Sequence, residues 1–175
     1  MVDLSGPGFA GLSGLSAPVP LSLGHDLSSF DCGMHALDAW LKERAIKNES
    51  RFSRTYVVCE GEQVVGYYCI SAGAVERGAA PGKLRRNAPN STPVSIIGRL
   101  AVSRSHAGRG LGSDLLSDAL RRIALASRTI GIGAVLVQAK DEAARRFYLA
   151  RAEFEEYPAE SRTLYLAIET VVAAF

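Results

Sequence analysis

The stretch Val94 to Leu120 reads VSIIGRLAVSRSHAGRGLGSDLLSDAL. Its first part, Pro93 to Val102, alternates and is rich in β-branched residues, which predicts a strand. Its last part opens a helix over Arg109 to Ala126, with Leu111, Leu115, Leu116, Ala119, Leu120 and Ile123 facing inward. Between the two runs lies Ala107-Gly108-Arg109-Gly110-Leu111-Gly112. Glycines let a backbone approach a phosphate without a Cβ in the way. The free N–H groups at the helix start face such an anion, and the helix dipole favours its charge. Strand, glycine loop and helix together predict a pyrophosphate site.

Two other nucleotide loops do not fit. A Walker A loop ends in Gly-Lys-Ser or Gly-Lys-Thr, whereas this loop continues Gly110-Leu111-Gly112. A Rossmann fingerprint opens its fold and is followed by an acid after the second strand; this loop comes late, after a hairpin.

Working outward, the N-terminal side predicts a flexible leader over residues 1–17, rich in Gly, Ser and Ala, and a short first strand over Pro18 to Leu23. A helix is expected from about Gly33 to Asn48 with Asp31 as its N-cap, carrying Met34, Leu37, Leu41 and Ala45 on one face and Trp40 beside them. Thr55 to Cys59 and Gln63 to Ala74 read as a hairpin around Glu60-Gly61-Glu62, and Arg77 to Thr92 as a long loop. On the C-terminal side, a buried strand is expected over Gly131 to Gln138, a helix over Asp141 to Arg151 and a last strand over Thr163 to Ile168. A terminal helical turn follows over Glu169 to Phe175. The fold class is therefore α+β (mixed α/β), a central mixed, mostly antiparallel sheet with helices on both faces, built as one domain over residues 18–175.

Composition bounds the function. The chain has 175 residues, 47% of them apolar, enough for a single buried core. A net charge of +2 implies no global field for nucleic acid, so any basic surface is local. The three cysteines, Cys32, Cys59 and Cys69, lack metal-ligand spacing; no metal is expected, and Cys59 and Cys69 read as buried small hydrophobes. No run is long enough for a membrane span and no signal peptide is evident, so the expected location is the cytoplasm.

The loop resembles motif A of the GNAT acetyltransferases, Gln/Arg-x-x-Gly-x-Gly/Ala, with Ala107 departing from the first position. The resemblance extends over about residues 18–168 and implies the GNAT fold with acetyl-CoA as co-substrate. It implies that Ala107, Gly108, Arg109, Gly110, Leu111 and Gly112 hold the pyrophosphate, and that the strand through Leu100, Ala101 and Val102 pairs with the pantetheine arm. Amides near Leu100 and Val102 would polarise the thioester carbonyl. Ala144-x-x-Phe147-Tyr148 resembles motif B of the same family, which implies that Tyr148 protonates the departing thiolate as general acid. The Gly-Phe usual after it is Glu153-Phe154 here.

Further segments narrow the resemblance. Phe30-Asp31-Cys32-Gly33, Leu37-Asp38-Ala39-Trp40-Leu41, Val65-Gly66-Tyr67-Tyr68 and Gly98-Arg99-Leu100-Ala101-Val102 are similar to the acetyltransferase toxins of type II toxin–antitoxin systems, the TacT, AtaT and KacT kind. That branch implies acetylation of the α-amine of aminoacyl-tRNA, with arrest of translation. It also implies a homodimer and a ribbon-helix-helix antitoxin, through which alone DNA would be contacted. A polyanionic substrate calls for a local basic surface. Arg77, Lys83, Arg85 and Arg86 lie in a stretch without an acid, and Lys42, Arg44, Lys47, Arg51 and Arg54 form a second cluster. Arg99 is expected to face the active cleft. A free α-amine titrates at about 7.7–8.0. An esterified one titrates lower, so it attacks as the neutral amine and no dedicated base is required. His25, His35 and His106 show no partners in sequence, and His106 reads as a surface histidine. Two other readings stand beside this one: a GNAT enzyme for a small amine, an antibiotic or a peptide N-terminus, which would not need the basic loop, and a catalytically degenerate GNAT-fold binding module.

Overall fold

The structure, a computed structural model, describes residues 14–159 and 161–175. Most of the expected leader therefore lies outside the described residues. Its last part is tied down: Ser16 N donates to the Cys59 carbonyl (2.9 Å), and Cys59 N donates to Ser16 Oγ (3.0 Å).

The strands are β1 (Val19–Pro20), β2 (Arg54–Glu60), β3 (Gln63–Glu76), β4 (Ser91–Val102), β5 (Ala134–Gln138), β6 (Glu155–Glu156) and β7 (Thr163–Ala167). The helices are α1 (His35–Glu43), α2 (Ala45–Asn48), α3 (Gly82–Arg85), α4 (Leu111–Ala126), α5 (Glu142–Arg151) and α6 (Ile168–Ala173). The strands hydrogen-bond in the order β1-β2-β3-β4-β5-β7-β6. β1–β2, β2–β3, β5–β7 and β6–β7 are antiparallel, and β4–β5 is parallel, with Val94 opposite Ala134 and Ile97 opposite Val137. This is the mixed, mostly antiparallel sheet that the element order predicts.

The chain groups into two compact units, one of residues 72–97 and 120–175, the other containing residues 14–71 and 98–119. In the second unit, Leu21, Phe30, Leu41, Ala45, Val57, Cys59, Val64, Tyr67 and Ala101 form a buried cluster under α1 and α2. Successive residues of β3 serve opposite faces. Tyr67 packs toward α1, its hydroxyl donating to the Leu37 carbonyl (2.8 Å). Gly66 meets α4, where an added Cβ would lie 3.1 Å from Leu115 and 3.2 Å from Leu111. Helices thus cover both faces of β3, and the glycine lets α4 lie close. In the other unit, Val94, Ile97, Val135, Val137, Leu164, Leu166 and Val171 are buried. The six inward positions expected of α4 are all buried.

Three local expectations need correction. The single helix expected over 33–48 is two, divided at Arg44, and Asp31 does not cap it. Gly33 sits at φ +88°, a left-handed turn that helix cannot continue through, so the helix starts after Met34. The Asp31 carboxylate accepts from Gly33 N (2.9 Å) and pairs with Arg104 instead. The expected loop 77–92 contains a 3-10 turn, Arg77–Ala79, and α3 directly after Pro81. It is closed at its base by Arg77 N donating to the Asn90 carbonyl (2.9 Å), and the Tyr165 hydroxyl donates to the Ala79 carbonyl (3.2 Å). β6, two residues long, is too short to show a period of two in sequence.

Candidate active site

The C-terminal half of β4 carries Gly98 to Val102. Ala101 is buried, Arg99, Leu100 and Val102 are intermediate, and Gly98 is exposed. The Arg99 guanidinium lies over the Trp40 ring, 4.4 Å from its centroid, on the α1 side of the strand. Burial raises the Cys69 thiol pKa, while the charge of Arg99 and hydrogen bonds from Arg99 and Gly98 pull against it.

After Val102 the chain is clamped before it reaches the glycines. Ser103 N donates to the Val65 carbonyl (2.8 Å), and Arg104 N to the Asp31 carbonyl (2.8 Å). The Arg104 guanidinium also grips both Asp31 oxygens, at 3.0 and 2.8 Å. Hydrogen bonds from Arg104 and from the Gly33 amide hold the Asp31 carboxyl below the usual carboxylate range. The turn Arg104–His106 then buries His106, only 8% exposed. Its Nε2 lies 2.8 Å from Glu60 Oε2 and its Nδ1 2.7 Å from Ser105 Oγ. The surface histidine expected from sequence is thus a buried brace. Its partner is 46 residues away, at the end of β2, so nothing local announced it.

The loop itself, Ala107 to Gly110, is exposed. Gly108 and Gly110 stand at φ +75° and +83°, with nothing within 4 Å of a built Cβ at either. They are needed for backbone conformation rather than for lack of space. The helix begins with Asp114 N donating to the Gly110 carbonyl (3.2 Å), so the amides of Leu111 and Gly112 precede the first intrahelical bond. Leu111, 1% exposed, anchors this end in the core. Burial pushes the Asp114 carboxyl pKa up. The loop residues therefore suit the diphosphate of acetyl-CoA through backbone donors, without a side chain from Ala107.

Removing the brace tests this positioning. Glu60 is 59% exposed, so its loss costs little stability. In Glu60→Ala, KM for acetyl-CoA is expected to rise about three- to ten-fold with kcat nearly kept, the usual net worth of one hydrogen bond. An unchanged KM in steady-state assays would show that the histidine needs no partner.

Tyr148 lies in the other unit, on α5. Asp141 caps that helix, its Oδ1 accepting from Ala144 N (2.8 Å). The Tyr148 ring is 6% exposed and is held edge-on by Phe147 (5.2 Å) and Phe154 (5.7 Å). Glu153 in place of the family's glycine thus leaves the following phenylalanine in contact with the tyrosine. The basic loop belongs to the same unit, and Arg77, Lys83, Arg85 and Arg86 are all exposed. They are not equivalent. Lys83 Nζ lies 3.3 Å from Glu155 Oε1, and Arg77 Nε donates to the Arg85 carbonyl (3.2 Å). The acid missing from the loop's own sequence is supplied from β6. Among the described residues no cluster of His, Cys, Asp or Glu could hold a metal ion, and no helix is long and apolar enough to cross a membrane.

The chain is 42% identical over 159 residues to a tRNA-acetylating toxin of Mycobacterium tuberculosis (strain ATCC 25618 / H37Rv), spanning 90% of this chain and 95% of that protein. It is 30% identical to a probable toxin TacT of Sinorhizobium fredii (strain NBRC 101917 / NGR234), over 84% of this chain and 87% of that one. Among solved structures, a tyrosine-to-phenylalanine mutant of KacT superposes with a TM-score of 0.87 at 28% identity, covering 93% of this chain and all of that one. AtaT complexed with acetyl-methionyl-tRNAfMet superposes at 0.83 with 29% identity, covering 92% of this chain and 99% of that one. The acetyltransferase (GNAT) family model matches residues 25–154, which takes in β2 to β5, the glycine loop and Tyr148, and the chain belongs to that family.

Proposed function

We propose that this protein transfers the acetyl group of acetyl-CoA to the α-amine of an amino acid esterified to tRNA, and that it acts as a toxin by blocking translation. The observation that carries this reading is the 42% identity with a tRNA-acetylating toxin along nearly the whole of both chains. The solved complex of AtaT with acetyl-methionyl-tRNAfMet and the AtaTR structure bound with AcCoA support it.

In this reading the amides of Gly108 to Gly112 hold the pyrophosphate, and the β4 backbone at Leu100, Ala101 and Val102 aligns the pantetheine arm. Leu100 and Val102 amides stabilise the developing oxyanion as the amine attacks the thioester carbonyl. Tyr148 donates its phenolic proton to the departing thiolate. The amine nitrogen gains the acetyl group and loses a proton to solvent, Tyr148 regains its proton from solvent, and free CoA leaves. Arg77, Lys83, Arg85, Arg86 and Arg99 meet the tRNA. One catalytic domain spans residues 18–175, preceded by the leader 1–17.

The partners follow the same branch: a homodimer in the cytoplasm, held by a ribbon-helix-helix antitoxin that makes the contact to DNA. An AtaT toxin bound to the C-terminus of antitoxin AtaR, and DNA complexes of KacTA and AtaT–AtaR, support an antitoxin partner.

The test is direct. Purified protein is incubated with acetyl-CoA and a full set of charged tRNAs, the ester is hydrolysed, and the released amino acids are weighed by mass spectrometry. N-acetylated amino acid from at least one tRNA is expected. Acetylation confined to polyamines, antibiotics or peptide N-termini would overturn the tRNA assignment and leave the family intact. The loop cations offer a graded check. Because Glu155 already neutralises Lys83, Lys83→Gln should weaken tRNA binding by less than about two-fold. Arg85→Gln and Arg86→Gln should each weaken it about three- to ten-fold at low salt, with a shallower salt dependence. Equal effects at all three positions, measured by filter binding across a salt series, would show that the Lys83–Glu155 pair does not persist.

A further inference from the structure

Arg99 stands apart from the other cations near the acetyl-transfer strand. Arg104, five residues on, has both nitrogen-to-carboxylate contacts satisfied by Asp31. Asp38, two residues before Trp40 on α1, accepts from the Cys32 amide at 2.9 Å. No carboxylate among the described residues pairs with Arg99. Arg99 is nevertheless a partly buried residue. A cation so placed, without a counter-ion, is held at a cost that a surface lysine or arginine does not carry.

What holds it is a layered platform. The guanidinium carbon lies over the Trp40 ring, 4.4 Å from its centroid. Trp40 is stacked on Tyr67 with ring centroids 6.0 Å apart and planes 11° from parallel. Tyr67 is fully buried, propped edge-on by Phe30 at 5.4 Å and pinned through its hydroxyl to the Leu37 carbonyl. The positive charge of Arg99 also acts on the buried Cys69 thiol, pulling its pKa down against the effect of burial. A guanidinium is a planar fork of five donors, and over the Trp40 ring, with no described carboxylate paired to it, Arg99 has N–H groups to offer an anion. That is the arrangement that matches two oxygens of one anion.

We infer that the Trp40–Arg99 stack is a subsite for a pair of anionic oxygens on the acyl acceptor, supplied by the phosphate of the terminal nucleotide or by a carboxylate of the esterified amino acid. Arg99 is next to Leu100 in β4, so an acceptor anchored on it is held beside the stretch whose amides are assigned to the thioester carbonyl. The inference rests on the aminoacyl-tRNA reading for the source of the anion, but the platform itself is tested without it.

The experiment is isothermal titration of the protein saturated with CoA, which keeps nucleotides out of the cofactor loop. Two matched pairs of probes are compared: adenosine 5′-monophosphate with adenosine, and the α-ethyl ester of glutamate with that of glutamine. In one pair the anionic member is expected to bind about ten-fold tighter or more, the usual worth of hydrogen bonds to a charged partner. The first pair identifies the phosphate as source, the second the carboxylate. Arg99→Gln should reduce that preference to less than about two-fold, and Arg99→Lys, which keeps the charge and loses the planar fork, should restore only part of it. Trp40→Leu should weaken the anionic probe in the same direction. Equal binding within both pairs, or a preference that survives Arg99→Gln, overturns the inference. In steady state, Arg99→Gln should raise KM for charged tRNA about ten-fold or more and leave KM for acetyl-CoA unchanged; an equal rise in both makes Arg99 a scaffold residue and overturns it too. A parent protein that acetylates no charged tRNA removes the tRNA reading, while the titrations still decide the subsite.

Discussion

The Tyr148→Phe protein should bind acetyl-CoA as the parent does and transfer acetyl about 10²- to 10³-fold more slowly, within the range of a lost general acid. The geometry makes this substitution clean. The ring is 6% exposed and packs edge-on against Phe147 and Phe154, contacts that phenylalanine retains. Tm should therefore stay within a few degrees of the parent, the span of about 1 kcal/mol. Growth inhibition on expression should disappear with the activity. The informative readout is the split: kcat falls and KM for acetyl-CoA holds, because the phenol is required when the thiolate leaves and not when the thioester binds. A thioester with a more acidic leaving thiol should recover part of the rate in the variant. Full activity and toxicity in Tyr148→Phe would remove the general acid and favour a binding role for the fold.

Gly110→Val should produce the opposite split. At φ +83° a β-branched residue is strained whatever the space around it, and here there is nothing within 4 Å to clash with. The loop is expected to relieve the strain by turning Gly110 out of the left-handed region, which re-aims the amides that follow. A rise of about 100-fold in KM for acetyl-CoA corresponds to about 3 kcal/mol, the sum of the left-handed strain and one misdirected charge-assisted hydrogen bond. Gly110→Ala, without the branch, should cost about 1–2 kcal/mol, roughly a five- to thirty-fold effect. The stability of the fold should change little in either, since the loop is exposed while Leu111 behind it is buried. Titration of CoA into the two variants orders them: valine weaker than alanine, alanine weaker than glycine. If alanine binds as well as glycine, the left-handed turn is not what aims the donors.

Local chemistry in the sequence carried much of this molecule. The run from β4 through the loop to α4 was legible because each part obeys a short-range rule: alternation for a strand, glycine for a left-handed turn, helical spacing for a buried face. The strand ends moved by a few residues, as Pro93 to Val102 became Ser91–Val102. Asp31 reads as a helix cap because Asp favours that place; Gly33, left-handed at φ +88°, and the distant Arg104 give it another task. His106 and Glu60 are 46 residues apart, and Lys83 meets Glu155 across an even longer gap. Periodicity has no access to such pairs.

The sequence by itself determined the element order, the glycine loop and the tyrosine on its helix, and with them the family. These depend on backbone preference and on residues within a turn or two of one another. Only the tertiary structure decided which charges remain available. It buried His106 against Glu60, closed Arg104 on Asp31, set Glu155 against Lys83, and laid Arg99 on Trp40 with no acid beside it. The physical reason is that a charge's partner is chosen by proximity in space, and strand pairing brings together residues that the chain keeps far apart.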